Sequence, residues 1–218
     1  MQSRTIKAVI FDLDGTLIDT EKYYRIFWPK TMAEFGYEMT DEQALAIRSL
    51  GRPFAPEWFK KTFDDPNLDY WAIRNRRKAV MEAFFADHPI ELKPYAVEIL
   101  DWLRAHGYIT ALATANDEER ANRYLTDLGL RDYFDAVCCA TMVEYGKPYP
   151  DIYTFACEKL GLPPEACMAV EDSANGIKSA HAAGLAPVYV PDQTEPEAEL
   201  LPLLYARVDN LWGLTALL

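Results

Sequence analysis

Strand and helix patterns alternate regularly from Pro94 to the end of the chain. Short apolar runs typical of buried strands are separated by segments whose apolar residues recur at helical spacing, and glycines at positions 107, 129, 161 and 184 mark the helix ends. Strands joined by helices in this way pair in parallel through right-handed crossovers. The pattern therefore predicts an α/β fold with a doubly wound parallel sheet. The predicted strands lie at 8–11, 109–113, 136–140, 167–170 and 187–190, with a short edge strand at 205–208.

The first predicted strand, Ala8 to Phe11, stands apart from the others. About 70 residues of helical pattern follow it, which is far longer than an ordinary connection. Aromatic and aliphatic residues recur there at three- and four-residue steps, without a convincing strand. We therefore predict an all-helical cap at residues 18–91, inserted into an α/β catalytic core made of residues 1–17 and 92–218.

The first strand runs directly into two acids, Asp12 and Asp14, followed by Gly15. Residues two apart in an extended chain point the same way, so both carboxylates project to one side. Open α/β sheets bind their ligands at the carboxyl ends of strands. Neighbouring carboxylates repel unless a cation or a shared proton joins them, and Mg²⁺ with a phosphate is one solution.

Three later strand ends carry polar side chains that suit a phosphate and a hard cation. They are Thr114, followed by Ala115 and Asn116; Lys147, held between a glycine and a proline; and Glu171 with Asp172. A hydroxyl and the amides of a helix start can bind phosphate oxygens, and a lysine can neutralise them. The acids can complete a metal site. Because the carboxyl ends of parallel strands lie along one edge, we expect these groups to converge.

In this order, the four strand-end motifs resemble those of the haloacid dehalogenase-like (HAD) phosphohydrolase superfamily. The phrases Gly146-Lys147-Pro148-Tyr149-Pro150-Asp151 and Glu171-Asp172-Ser173 are typical of its β-phosphoglucomutase and phosphoglycolate phosphatase subgroup. The resemblance implies a Rossmann-like core in which Asp12 is the nucleophile and Asp14 the acid–base. It also implies that Thr114, Lys147 and the amides near Ala115 and Asn116 hold the phosphate. The implied cofactor is Mg²⁺, bound by Asp12, Glu171, Asp172 and the main-chain carbonyl of Asp14.

The predicted cap is expected to select the substrate. Arg52, in a break between two predicted helices, is a candidate to contact a distal group such as a second phosphate, although a surface arginine fits equally well. The densest basic run is typical of a solvated helix face; it comprises Arg74, Arg76, Arg77 and Lys78. The aromatic residues Tyr23, Tyr24 and Trp28 are expected in the core of the cap.

The resemblance implies an enzyme, a phosphatase that hydrolyses a small phosphate monoester, such as a sugar phosphate, through an aspartyl-phosphate. The acid at position 14 indicates phosphate esters as substrates, because dehalogenases and phosphonatases of the superfamily lack an acid there. Sugar-phosphate mutases of the subgroup carry a histidine where this chain has Tyr24, so hydrolysis is favoured. A β-phosphoglucomutase-type phosphomutase is the first alternative.

A phosphoacceptor signalling domain is the alternative from another class, because receivers also use clustered acids, a hydroxyl and a lysine on a parallel sheet. Receivers are shorter and lack the helical insertion. A catalytically silent interaction protein is disfavoured, because every expected catalytic position is filled.

The net charge limits the possible binding partners, and the cysteine content bears on the cellular compartment. A net charge of −12 argues against general binding of nucleic acid or an anionic membrane. The four cysteines form no C-x-x-C pair and are expected as buried, reduced thiols. No apolar run approaches the roughly 18 residues of a membrane helix. We expect a cytoplasmic monomer whose partner is a small phosphorylated metabolite.

Overall fold

The structure, a computed structural model, describes residues 5–218. Within them, one parallel sheet has the strand order β3-β2-β1-β4-β5-β6. Its strands are β1 (Ala8–Phe11), β2 (Ile109–Thr114), β3 (Ala136–Cys139), β4 (Cys167–Glu171), β5 (Ala186–Tyr189) and β6 (Ala206–Arg207). The helices are α1 (Glu21–Glu34), α2 (Asp41–Ala46), α3 (Phe54–Thr62), α4 (Tyr70–Asp87), α5 (Ala96–Ala105), α6 (Glu118–Asp127), α7 (Asp151–Leu160) and α8 (Ala174–Ala182). Short 3₁₀ turns lie at Arg131–Tyr133, Ala140–Met142, Pro164–Ala166, Leu201–Leu203 and Leu211–Ala216.

The predicted doubly wound parallel sheet is confirmed, with β1 at its centre. Phe11 pairs in register with Leu112 of β2 and with Val170 of β4. All four residues of β1 are buried, and they alternate between the two faces of the sheet. Val9 belongs to the apolar cluster on one face and Ile10 to the cluster on the other. Helices covering both faces thus hold the carboxyl end of β1 in a fixed position.

Helices α1–α4, which we call the cap helices, lie between β1 and α5 in the chain. They have an apolar cluster of their own, in which the rings of Trp28, Phe59 and Tyr70 contact one another. Helix α2 starts at a Thr40 capping box but ends at Ala46, earlier than the predicted Leu50. Ser49 adopts a φ of 54°, a left-handed conformation that a helix cannot continue.

The ends of the strands differ slightly from the prediction. β2 extends to Thr114 and β4 to Glu171, so the ladder continues up to the polar residues themselves. β6 covers only two residues of the predicted edge strand. All four cysteines are buried and outside disulfides. Across residues 5–218, no helix combines the length and apolar character needed to cross a membrane.

Candidate active site

Polar side chains from three central strands converge at one edge of the sheet. Asp12 follows β1 and its N–H donates to the carbonyl of Val170 at 3.0 Å. Thr114 ends β2, Glu171 ends β4, and Asp172 follows it. All of these residues are at most 1% exposed. Parallel pairing of β1 with both neighbours brings them together, because it aligns the three carboxyl ends.

A buried lysine joins two of the acids. The Nζ of Lys147, from the loop between β3 and α7, lies 2.6 Å from Asp12 Oδ1 and 2.6 Å from Glu171 Oε1. It also donates to the carbonyl oxygen of Ala113 at 3.0 Å. Burial lowers the pKa of Lys147, but the charges of Asp12 and Glu171 outweigh it and raise that pKa above its usual value. The lysine therefore stays charged inside the site.

Three carboxylates form a group that suits a hard cation. Asp12, Glu171 and Asp172 each offer an oxygen, and these oxygens all lie within 4.8 Å of one another. Asp12 Oδ2 is buried without a hydrogen-bond partner. Burial is the main cause that raises the pKa of Asp12, and it raises the pKa of Asp172 to about 8. A crowded set of buried oxygens with one unpartnered member fits an oxygen-preferring metal ion.

Two glycines leave room for these carboxylates. A Cβ at Gly176 would lie 1.9 Å from the carboxyl carbon of Glu171. A Cβ at Gly15 would lie 2.4 Å from Asp172 Oδ2, and Gly15 has a φ of 81° that favours glycine. Larger residues at either position would displace the acids.

Asp14 lies beside this group rather than in it. Its Oδ1 accepts from Thr20 Oγ1 at 2.5 Å and its Oδ2 from Asn116 Nδ2 at 2.5 Å. Asn116 also donates to Thr114 Oγ1, from its main-chain N–H at 3.1 Å and from its side chain at 3.2 Å. Burial raises the pKa of Asp14 although these hydrogen bonds and Arg120 oppose it. Asp14 therefore favours its protonated form more than a solvent-exposed aspartate does.

Asp12 and Asp14 open onto a cavity of about 100 Å³ between the cap helices and the sheet edge. Ala115 and Asn116 line the same cavity, as a role in substrate binding requires. Arg52 does not line it: its guanidinium donates to the carbonyl of Ala140 at 3.1 Å and lies in a neighbouring groove. The structure thus groups the predicted core residues and leaves Arg52 outside the cavity.

Arg48 also reaches the site, although it belongs to none of the strand-end motifs. It follows α2, and its Nη1 donates to Asp172 Oδ2 at 3.2 Å while its Nη2 donates to Thr194 Oγ1 at 2.5 Å. Asn175 donates to the main-chain carbonyl of Arg48 at 2.8 Å. This contact joins the cap helices to a candidate metal ligand across 124 positions, so no local pattern reveals it.

The basic run on α4 is not uniformly a solvated face, and that expectation is wrong for Arg77. Arg76 is exposed and pairs with Glu34 at 2.6 Å, whereas Arg77 is 4% exposed and lines the cavity. The sequence carries a signal for this difference, because residue 77 lies four positions from both Ile73 and Met81 on the buried helix face.

Two aromatic residues predicted in the cap core also line the cavity. Trp28 belongs to the apolar cluster of the cap helices, as predicted, and Tyr24 packs against that cluster. Both border the cavity. The hydroxyl of Tyr24 accepts from Arg120 Nη1 at 3.2 Å, so this tyrosine links α1 to the start of α6.

Comparison with known proteins places the chain among hydrolases. A family model described as haloacid dehalogenase-like hydrolase matches residues 6–184. Hexitol phosphatase B of Escherichia coli (strain K12) is 31% identical, and the match covers 98% of this chain and 96% of the relative. Fructose-1-phosphate phosphatase YqaB of the same organism is 30% identical, over 82% of this chain and 93% of the relative.

A solved structure shows the same fold at similar length. The crystal structure of CbbY from Rhodobacter sphaeroides in complex with phosphate has a TM-score of 0.77 and 27% sequence identity to this chain. The match covers 96% of both chains. The architecture described above is therefore shared over nearly the whole length of that protein.

Proposed function

Because this chain belongs to the haloacid dehalogenase-like hydrolase family, we propose that it is an Mg²⁺-dependent phosphatase of a small sugar or polyol phosphate. The observation that carries the proposal is the state of Asp12. One of its oxygens is held by Lys147 at 2.6 Å, and the other is buried without a partner beside a cavity. Relatives named as phosphatases of hexitol phosphates and fructose 1-phosphate support the substrate class.

In the proposed first step, Asp12 attacks the phosphorus atom and the bond to the ester oxygen breaks. Asp14 gives its proton to that departing oxygen, a role supported by its raised pKa. The hydroxyl of Thr114 and the amides near Ala115 and Asn116 hold the other phosphate oxygens. The charge of Lys147 offsets the negative charge of the phosphoryl group as it meets the carboxylate.

In the proposed second step, a water molecule attacks the phosphorus of the aspartyl-phosphate and gives its proton to Asp14. The bond from phosphorus to Asp12 breaks, which releases inorganic phosphate and restores the carboxylate. Asp14 then holds the proton it needs for the next turnover. The two hydrogen bonds from Thr20 and Asn116 are positioned to keep Asp14 at the cavity while it changes protonation state.

The residues present fit a magnesium ion. Three buried carboxylates with one unpartnered oxygen form the acidic part of such a site, and the main-chain carbonyl of Asp14 is the further ligand implied by the family motif. The bound ion would supply positive charge that offsets repulsion between the carboxylates and the phosphoryl group. Asp12, Glu171 and Asp172 would hold the ion.

We further propose that residues 18–91 act as a separate cap on a core of residues 1–17 and 92–218, and that the enzyme works as a cytoplasmic monomer. The separate apolar cluster of the cap helices supports the division. Four buried cysteines outside disulfides are compatible with a reducing compartment. Tyr24, which lies where mutases carry a histidine, favours hydrolysis over isomerisation.

The test is phosphate release from a panel of sugar and polyol phosphates, with Mg²⁺ or with EDTA. We expect release with Mg²⁺, little with EDTA, and none from Asp12→Asn, whose fold is checked by circular dichroism. Asp192→Asn is a matched control, because Asp192 also pairs with a lysine at 2.5 Å and has a buried, unpartnered second oxygen outside the cavity. It should retain activity.

Two results would contradict the proposal. If Asp12→Asn released phosphate like the wild type, Asp12 would not be the nucleophile. The panel also contains glucose 1-phosphate with a trace of sugar bisphosphate, and isomerised product with little free phosphate would move the assignment to a phosphomutase.

A further inference from the structure

Arg77 is a buried cation without an anionic partner. Arg77 is 4% exposed, and its guanidinium carbon lies over two aromatic rings, 4.5 Å from the centroid of Tyr24 and 4.6 Å from that of Trp28. Its Nη1 contacts the sulfur of Met81 at 3.0 Å, and its Nε has no hydrogen-bond partner. Within residues 5–218, Arg77 forms no ion pair with a carboxylate. Burying a guanidinium in this way costs free energy unless an anion pairs with it.

Two more arginines border the same cavity near Arg77. Arg120 is 3% exposed, and its Nε is also unpartnered. Within residues 5–218, its guanidinium forms one ion pair, with Glu82 at 3.4 Å. Arg74 lies over the ring of Trp71 at 5.8 Å and lines the cavity. Arg120 and Arg74 both lower the pKa of Arg77, after burial itself, because the three positive charges repel. Three arginines are thus grouped at one cavity in a chain whose net charge is −12.

The carboxylates that line the cavity do not neutralise this cluster. Asp12 is paired with Lys147, and Asp14 is held by Thr20 and Asn116. Glu21, the third acid of the lining, is buried and forms no ion pair within residues 5–218. Arg48, the fourth arginine of the lining, already has Asp172 as its partner. Within the described part of the chain, the acids of the cavity form no ion pair with the cluster around Arg77. Positive charge therefore remains available to a ligand.

The cluster lines the same cavity as Asp14, the proposed proton donor to the departing oxygen. Lys147 lies instead against Asp12, with its Nζ 2.6 Å from Asp12 Oδ1. In the proposed mechanism the phosphoryl group would thus have Lys147 as its cation, and Arg77 and Arg120 would meet the organic part of the substrate.

We infer that Arg77, together with Arg120, is a second anion subsite, so that the preferred substrate carries a further anionic group besides the phosphate that is hydrolysed. The inference rests on the proposed phosphatase function and narrows its substrate class. A carboxylate and a second phosphate share the chemistry that a planar guanidinium recognises with two parallel hydrogen bonds. Neutral hydroxyl groups would leave the buried charge of Arg77 unpaired.

Matched pairs of substrates test the subsite in the wild-type enzyme. Glucitol 6-phosphate and 6-phosphogluconate differ by a carboxylate in place of a hydroxymethyl group. Fructose 1-phosphate and fructose 1,6-bisphosphate differ by a phosphate. We expect kcat/KM to be about 10- to 100-fold higher for at least one doubly anionic member, the gain expected from charge-assisted hydrogen bonds. The pair that shows the gain identifies the anion as carboxylate or phosphate.

Variants assign the effect to Arg77. Arg77→Met keeps an unbranched side chain against the two rings. It should remove most of the preference, by lowering kcat/KM much more for the member with the additional anionic group than for its partner with a single phosphate. Arg76→Met is the matched control, since its guanidinium is exposed and pairs with Glu34. Binding of the same ligands to Asp12→Asn and to Asp12→Asn/Arg77→Met, measured by calorimetry, gives a readout that does not require turnover. Arg120→Gln provides a second variant if Arg77→Met does not fold.

The outcomes separate this inference from the proposed function. Equal kcat/KM for both members of each pair, with phosphate released from all, would overturn the subsite and leave the phosphatase intact. An equal loss of preference in Arg76→Met and Arg77→Met would overturn the assignment to Arg77. No phosphate release from any substrate would refute the proposed function itself.

Discussion

Two lysines of this protein make nearly the same ion pairs in opposite environments. Lys147 Nζ lies 2.6 Å from carboxylate oxygens of both Asp12 and Glu171, and Lys22 Nζ lies 2.5 Å from Asp19 and 2.6 Å from Glu91. The first lysine side chain is 1% exposed and the second 34% exposed. Replacing each by methionine removes the same charge and similar contacts. Any difference in stability between the two variants therefore measures the effect of burial.

The expected magnitudes follow from that burial. Removing one partner of a buried ion pair leaves unpaired charge in a water-poor interior and costs about 3–5 kcal/mol. An exposed pair contributes about 0–1 kcal/mol. For a chain of 218 residues, each 1 kcal/mol shifts the Tm by about 2–4 °C. Lys147→Met should thus lower the Tm by roughly 6–20 °C, and Lys22→Met by less than about 4 °C.

The assay is thermal unfolding in EDTA at pH 8, followed by circular dichroism. At lower pH the effect of Lys147→Met should shrink, because burial and nearby acids already raise the pKa of Asp12 and the orphaned carboxylate can bind a proton. Added Mg²⁺ should restore part of the loss if the cation binds the same acids. Equal Tm decreases for the two variants would refute the claim that the Lys147 charge is compensated inside the site.

Two further predictions concern the acids of the candidate metal site. In EDTA, the free energy of unfolding should fall by about 3 kcal/mol between pH 6 and 9. Burial raises the pKa of Asp172 from 3.8 to about 8, so the stability that is fully present below pH 3.8 is lost as the pH rises through 8. A free energy of unfolding in urea that does not change with pH would contradict this. Gly176→Ala should weaken Mg²⁺ binding at least tenfold by calorimetry, since the added methyl would overlap the Glu171 carboxylate; unchanged affinity would show that Glu171 is not a ligand.

The doubly wound sheet was predictable because its signal is local and repeated. Each strand is an apolar run, each helix has its own periodicity, and glycines mark the ends. Helix α2 shows the limit of that reasoning. Its pattern continues to Leu50, but the left-handed backbone at Ser49 ends the helix earlier, and the turn directs Arg48 to Asp172. A one-turn error in a short helix thus concealed a residue of the site.

The misjudged basic run has a different cause. Arg76 and Arg77 are adjacent and chemically identical, yet one is exposed and the other buried, because successive helix positions point about 100° apart. The spacing from Ile73 and Met81 places Arg77 on the inner face. What that face meets depends on Tyr24 and Trp28 of another helix, which the pattern of α4 does not contain.

The sequence by itself determined the acid pair after β1 and the order of the strand-end motifs, because both follow from strand periodicity and from the shared edge of a parallel sheet. Only the tertiary structure decided which groups neutralise or crowd those acids. Asp14 meets Asn116 across 102 positions and Asp172 meets Arg48 across 124. The first contact depends on the pairing of β1 with β2, and the second on how the cap helices pack on the sheet. The same packing sets the burial and charge that determine the chemistry of the cavity.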